Sequence, residues 1–251
     1  MAQAIWAPIL QGCQFGNMPL DSFLLHAEAG DLAAIQAISE ADLPKKLRLK
    51  DEDARTALHR ACAGGHHAVV EYLVRSGADV NTEDDEGWTP LHSCASKGDS
   101  ALVDMLLERN ADPDAATSSK AVALHLAASK GHMDVLRSLL AANAKKGSRD
   151  RQGATPFLRA ASAGKAEALQ ALLDAKSDAA ARDRFDENAM HMAINGHHVA
   201  CCEILMACDD AEAMMSRENK EGKTPATALV ELLPIEVRDT LKSIWREKRG
   251  G

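Results

Sequence analysis

The sequence predicts an all-α repeat solenoid, built from helix-turn-helix units joined by β-hairpin tips, and three observations predict it. His59, His92, His125 and His191, with Leu158 in the same slot, recur on a stride of 33 residues. A fixed period of this length marks a stack of units that bury their apolar faces only against their neighbours. The stretch Asp85-Glu86-Gly87-Trp88-Thr89-Pro90-Leu91-His92 starts a helix: Thr caps the free N–H groups, Pro fits the first helical position and Gly87 suits the turn ahead. Aromatic residues make up only 3% of the chain, as expected of a thin two-layer stack filled by Ala, Leu and Val.

Seven repeats follow in order. Residues 1–18 fall outside them and carry Trp6, Ile9, Leu10 and Phe15, which could cover the first repeat. Repeat one, 19–50, has a helix over 22–29 that Asp21 can cap, with Gly30-Asp31 as its turn. Repeat two, 51–83, runs from Thr56-Ala57-Leu58-His59 through Gly65-His66 to Val69, Val70 and Leu73 at helical spacing, and stops at Gly77. Repeat three, 84–116, copies this pattern with Thr89-Pro90, Gly98 and Leu106. Repeat four, 117–149, replaces Thr-Pro by Val122-Ala123 but keeps Gly131-His132. Repeat five, 150–182, restores Thr155-Pro156.

Repeat six, 183–218, takes Asn188 as its cap. Its Gly196 comes one position early, which leaves His197 in the glycine slot, and three extra residues lengthen the segment around 208–215. Repeat seven, 219–251, keeps Thr224-Pro225, loses the Gly-His turn at Leu233-Pro234 and ends in a polar helix with Arg238, Asp239, Lys242 and Arg246, as a terminal unit needs.

Composition narrows the function. A net charge of −8 argues against nucleic acid as the main partner, since phosphate binding needs a basic face. Cys13, Cys62, Cys94, Cys201, Cys202 and Cys208 show no disulfide framework and no Cys-x-x-Cys pair, so they read as thiols of a reducing compartment. No apolar run approaches the roughly 20 residues of a membrane span, and residues 2–10 lack a signal-peptide pattern. The expectation is an intracellular protein, cytoplasmic and nuclear, with no cofactor and no membrane contact.

The 33-residue period with its Thr-Pro-Leu-His core resembles the ankyrin repeat. A closer likeness runs through Asp53-Ala54-Arg55-Thr56-Ala57-Leu58-His59, Val80-Asn81, Asp84-Asp85 and Gly87-Trp88, and resurfaces at 218–225. In this order, and with seven repeats, the chain resembles the gankyrin family of proteasome assembly chaperones. That resemblance implies binding of the C-terminal domain of a proteasome regulatory-particle ATPase subunit along the concave face. It carries partner-binding roles onto Asp53, Arg55, Asp84, Asp85, Trp88, Ser96 and Lys130. Two departures stand out: Arg60 replaces a Trp of the family, and Ala33-Ala34 replace acidic residues.

The charges themselves are compatible with it. Between Asp51 and Trp88 nine acidic residues face three basic ones, whereas from Lys130 to Arg151 six basic residues face two acidic ones. Such polarity orients a partner and speeds its encounter; it is also what solvated hairpin tips carry without any ligand. A tip Trp before Thr-Pro reads as a solvent-facing interface anchor.

Two motifs invite other chemistry. Gly222-Lys223-Thr224 ends like a phosphate loop, but the glycine required five residues earlier is Arg217. His197, His198, Cys201 and Cys202 form i, i+4 pairs suited to zinc, yet they occupy the turn and core slots of a repeat. The repeated histidines at helix starts are expected to hydrogen-bond backbone between repeats. No motif pairs a nucleophile with a base, so no catalysis is indicated. Two partner-binding readings remain, a chaperone of a proteasomal ATPase and a general ankyrin adaptor, for instance a kinase-binding inhibitor or scaffold. With polar ends, the chain is expected to be a monomer.

Overall fold

The computed structural model describes residues 21–232 and 234–248, which fold into sixteen helices with no strand among them. The N-terminal extension with Trp6, Ile9, Leu10 and Phe15 lies outside the described residues, as do Cys13 and Leu233.

Each repeat supplies an inner and an outer helix. The inner helices are α1 (Ser22–Ala29), α4 (Ala57–Gly64), α6 (Pro90–Lys97), α8 (Ala123–Lys130), α10 (Pro156–Ser162), α12 (Ala189–Asn195) and α15 (Pro225–Leu232). The outer ones are α2 (Leu32–Gln36), α5 (His67–Arg75), α7 (Ser100–Glu108), α9 (Met133–Ala141), α11 (Ala166–Asp174), α13 (Val199–Ala207) and α16 (Ile235–Lys248). Successive inner helices pack on one another, and successive outer helices do the same. One continuous core lies between the layers, in which Leu58, Leu91, Leu124, Phe157 and Met190 sit at successive equivalent positions. Small buried residues such as Ala61, Cys62, Cys94, Ala95, Ala127 and Ala128 allow the inner helices to approach closely.

Two further helices stand outside the inner and outer pairs. α3 (Leu43–Leu47) follows α2 in repeat one, and its Lys46 pairs with Asp21, the residue that caps α1. α14 (Ala211–Ser216) takes up the three extra residues of repeat six. It buries Ala211 and Met214, and Asn188 donates its side-chain amide to the Met214 carbonyl at 2.9 Å. The lengthened segment is therefore packed against the cap of its own repeat.

The hairpin tips are turns, not paired strands. In four tips the opening Asp accepts two backbone N–H groups through its side chain: Asp51 from Asp53 and Arg55, Asp84 from Glu86 and Trp88, Asp150 from Gln152 and Ala154, Asp183 from Phe185 and Glu187; Thr117 accepts one, from Ala121. One main-chain hydrogen bond closes each tip, for example from Asp84 N–H to the Trp88 carbonyl. Another joins neighbouring tips, from Asp85 to Asp53, Ser118 to Glu86, Arg151 to Ser119, Arg184 to Gln152 and Lys220 to Phe185. The row of tips is thus fixed in register without a sheet.

The recurrent histidine ties repeats together as expected. His59 Nδ1 accepts the Thr56 N–H at 3.2 Å, so Nε2 carries the proton and donates to the Trp88 carbonyl, at 2.9 Å, in the next repeat. His125 does the same between Val122 and Ala154, and His191 Nε2 donates to the Lys223 carbonyl. His92 takes the Thr89 N–H, but its Nε2 finds no hydrogen-bond partner among the described residues. A second proton on Nδ1 would face an N–H donor, so the rings of His59, His92 and His125 are built to stay neutral.

Burial accordingly holds His59, His92 and His125 below the ordinary imidazole value, His92 down to about 4. Below about pH 6.5 the unfolded chain then binds more protons than the folded one. Their contribution to stability is complete above that pH and drains away as pH falls toward 4. The melting temperature should drop between pH 7 and pH 5, and His125→Leu, which copies Leu158, should flatten that slope. A melting temperature constant across this range would contradict the neutral-ring account.

The early glycine of repeat six has the consequence read from its spacing. Gly196 is right-handed, and His197 takes the left-handed conformation at φ +56° that glycine holds elsewhere, as at Gly98 and Gly164. At those two positions a Cβ would also collide with the ring of His132 or His198 from the next repeat. Repeat seven brings no such His over His197, so the slot tolerates a side chain there. The strain remains, and His197→Gly should stabilise the protein by about 0.5–1 kcal/mol in urea unfolding; a loss of stability would show that the imidazole itself is needed.

One expectation needs correction. The last repeat is polar along α16, where Asp239, Lys242 and Arg246 are exposed, but Val230, Leu232 and Ile235 at the α15–α16 turn are exposed too. The C-terminal end is not the wholly polar cap that its charged helix suggests. Among the described residues no helix is long and apolar enough to cross a membrane.

Candidate functional site: a charged groove on the inner face of repeats one to four

The inner helices and the tips bound a groove of about 540 Å³ whose lining includes Arg55, Asp84, Trp88, Ser96 and Lys130. Five of the seven residues singled out by the family resemblance therefore meet in one place. Asp53 and Asp85 lie on the rim, exposed on adjacent tips, with the Asp53 side chain 67% accessible.

Their individual roles differ. Asp84 turns inward: besides holding the tip, its carboxylate accepts from Arg55 Nε at 3.3 Å, so it reaches the groove through that guanidinium. Arg55 also lies 3.7 Å from Asp53 and remains half accessible. Trp88 is half-buried rather than solvent-facing, its ring centroid 5.9 Å from that of His92. Lys130 is exposed, yet its ammonium already donates to the Ser96 carbonyl at 2.7 Å and hydroxyl at 2.6 Å, closing the end of α6. Lys97 does the same one repeat earlier, at the Ala63 and Gly64 carbonyls. A cation near a helix C-terminus is favoured by its free carbonyls and dipole.

The sequence reading did not foresee the strongest local arrangement. Arg60 bridges Asp51, at 2.9 Å from Nε, and Glu28 from repeat one. The Asp51 side chain is 3% accessible and that of Arg60 17%. Burial works to raise the Asp51 carboxyl, but the backbone N–H of Arg55 and the Arg60 guanidinium outweigh it and hold the group below its ordinary value. The same device recurs where Arg159 meets Asp150 and Gln152. An Arg nine residues after the first Asp of a tip was the available signal: both fall at that spacing, and in repeat three, where Ser93 stands instead, Asp84 turns to Arg55.

The floor of the groove thus carries Arg55, Arg60, Lys97 and Lys130 against Glu28 and Asp84, while the rim tips carry Glu52, Asp53, Asp85 and Glu86. The surface is bipolar at short range, cationic below and anionic above. It suits a partner of mixed charge with one large side chain to set against Trp88.

The other motifs resolve into repeat structure. Cys201 and Cys202 are fully buried, which pushes their thiols up to about 11 and about 12, His198 donates to the Ser162 carbonyl and His197 is exposed. No His, Cys, Asp and Glu side chains among the described residues group as a metal site. Gly222-Lys223-Thr224 belongs to the last tip, where the Lys223 carbonyl accepts from Asn219 N–H and the lysine pairs with Glu221.

No curated protein matches the chain. The family model for ankyrin repeats matches it in three copies, over residues 23–117, 114–183 and 157–234. These matches span the helix pairs, the tips and the groove they enclose, and the chain belongs to the ankyrin repeat family.

Proposed function

We propose that the protein is a gankyrin-like assembly chaperone, which holds the C-terminal domain of a proteasome regulatory-particle ATPase subunit against the groove of repeats one to four. Ankyrin repeats make the chain a protein-binding module; the choice of partner is the further step. The observation that carries it is the convergence of Arg55, Asp84, Trp88, Ser96 and Lys130, brought forward by resemblance alone, on one groove with Asp53 and Asp85 on its rim. The role is binding without catalysis, in the cytoplasm and nucleus, by a monomer. The departures localise to one end. Arg60 stands where the family has a Trp and is locked to Asp51 and Glu28, so contact there is polar and pre-paired, and the exposed Ala33 offers a partner no charge.

The test is capture of purified C-terminal domains of the regulatory-particle ATPases by the full chain. One domain should bind selectively. Asp85→Lys, which sets like charges together on the rim, should weaken it by at least about tenfold, roughly 1.4 kcal/mol, mostly through faster dissociation. Raised salt should narrow the difference, and reversal at exposed Asp239 should change little. If no ATPase domain binds while kinases or other regulators do, the general adaptor reading replaces this one.

A further inference from the structure

We propose a second docking surface, separate from the groove, on the tips of repeats four to seven: it takes an acidic protein segment that carries one large apolar side chain. The argument begins with register. Asp53, Glu86, Ser119, Gln152 and Phe185 stand at one tip position, 33 residues apart. Four of the five are polar, as a position facing water requires, and the fifth is a phenylalanine 54% exposed.

Its exposure is imposed by the backbone. The Phe185 N–H is held by Asp183 at 2.8 Å, its carbonyl accepts from Lys220 at 3.0 Å, and the preceding Arg184 N–H is fixed on Gln152 at 2.9 Å. The ring therefore stands on a tip hydrogen-bonded to both neighbours, a rigid mount that keeps the ordering cost of binding low. Aromatic side chains held in this way are enriched at interface centres.

The surrounding charges choose the partner. Lys120, Arg184 and Lys220 are exposed on this row, and no side-chain hydrogen bond or ion pair occupies them among the described residues. Arg151 adds a guanidinium that rests only on the neutral Ser118 carbonyl at 2.7 Å. These cations differ in kind from Arg60 and Arg159, which are already neutralised by buried carboxylates. On the same tips Asp186 pairs with Arg182, Glu221 with Lys223, and Glu187 accepts from Asn195 and Asn219, so the cations left without a counter-ion beside one exposed ring complement an acidic segment with a hydrophobic anchor. A single-stranded nucleic acid would also meet cations and a ring, so its binding is made an outcome of the test.

A peptide array of varied ten-residue sequences, probed with the full chain and its variants, tests this. Phe185→Ser copies Ser119, so folding should be unchanged, which a melting curve checks; Arg184→Glu provides an independent variant. The peptides that matter are those retained by Trp88→Ala yet lost by both tip variants, which keeps this surface apart from the groove. That set should be rich in Asp and Glu around one aromatic or aliphatic residue, and each member should weaken roughly tenfold or more in Phe185→Ser. The proposal is overturned if no such set exists, if it is neutral or basic, or if oligothymidylate binds the chain and is released by Phe185→Ser.

Discussion

Arg60→Ala is expected to destabilise the protein by about 3 kcal/mol, the largest effect of any groove substitution, although the residue lies on the surface of the groove. Removing the guanidinium leaves the carboxylate of Asp51, 3% accessible, without its counter-ion. Loss of one partner from a buried pair costs far more than the pair contributes as a whole, because the remaining charge is neither solvated nor matched. The bond to Glu28 is lost too, but that side chain is 56% accessible and recovers water, so its share is small. In a solenoid the damage stays local, so repeat one, joined to the stack through α1 on α4 and α2 on α5, should separate first. Urea unfolding with hydrogen exchange would show the amides of α1 and α2 losing protection before those of α8 and α10.

The charge account makes a sharper demand. Asp51→Asn keeps the oxygen that organises the tip, since Oδ1 alone accepts from Asp53 and Arg55. Combined with Arg60→Met it removes the stranded charge while filling much of the same volume, so the double variant should regain most of the stability. The loss in Arg60→Ala should also shrink in acid, as Asp51 takes a proton once the guanidinium no longer holds its carboxyl low. An Arg60→Ala protein as stable as the parent, or one that Asp51→Asn makes worse, would mean that Arg60 merely covers the groove.

These two residues mark how far the sequence could be read. The architecture was legible because it repeats: each Thr-Pro, Leu-His and Gly slot was seen several times, and the spacing put His197 in the slot of Gly98 and Gly131, where the structure gives it their left-handed conformation. The interrepeat hydrogen bonds of His59, His125 and His191 followed from the same recurrence. What did not repeat was not legible. The Asp51–Arg60 pair recurs only once, at Asp150–Arg159, and its bond to Glu28, 32 positions away, does not recur at all. α14 was visible only as three surplus residues, because a length count carries no conformation, although its Ala, Glu and Met residues favour a helix and Met214 is buried. The exposed Val230, Leu232 and Ile235 were hidden by the charges of α16, since a count of polar residues does not say which way the turn before them faces. The candidate site stood in between. Resemblance named its members, but only the geometry separates Asp53 and Asp85 on the rim from an inward Asp84 and a Lys130 already bound to Ser96.

Trp88→Ala is expected to weaken partner binding by about 2 kcal/mol, roughly thirtyfold, and to leave the fold intact. The backbone of Trp88 has two structural duties that alanine keeps: its N–H goes to Asp84 and its carbonyl receives both Asp84 N–H and His59 Nε2. The ring contributes its contact with His92, and such a pair is worth only about 0.5–1.5 kcal/mol beyond the area it covers. Because the side chain is half-buried, part of it is already positioned, and the accessible part faces a groove flanked by Lys97 and Lys130. A partner that covers it gains a pre-ordered aromatic surface in a region where the neighbouring charges are held by carbonyls. The loss on truncation should therefore appear in dissociation more than in association, in contrast to the salt-sensitive loss on reversing Asp85. Titration calorimetry and a melting curve on the same preparation would separate the possibilities. A variant that melts many degrees lower yet binds normally per folded molecule would assign Trp88 to packing, and the groove would then have no anchor at its centre.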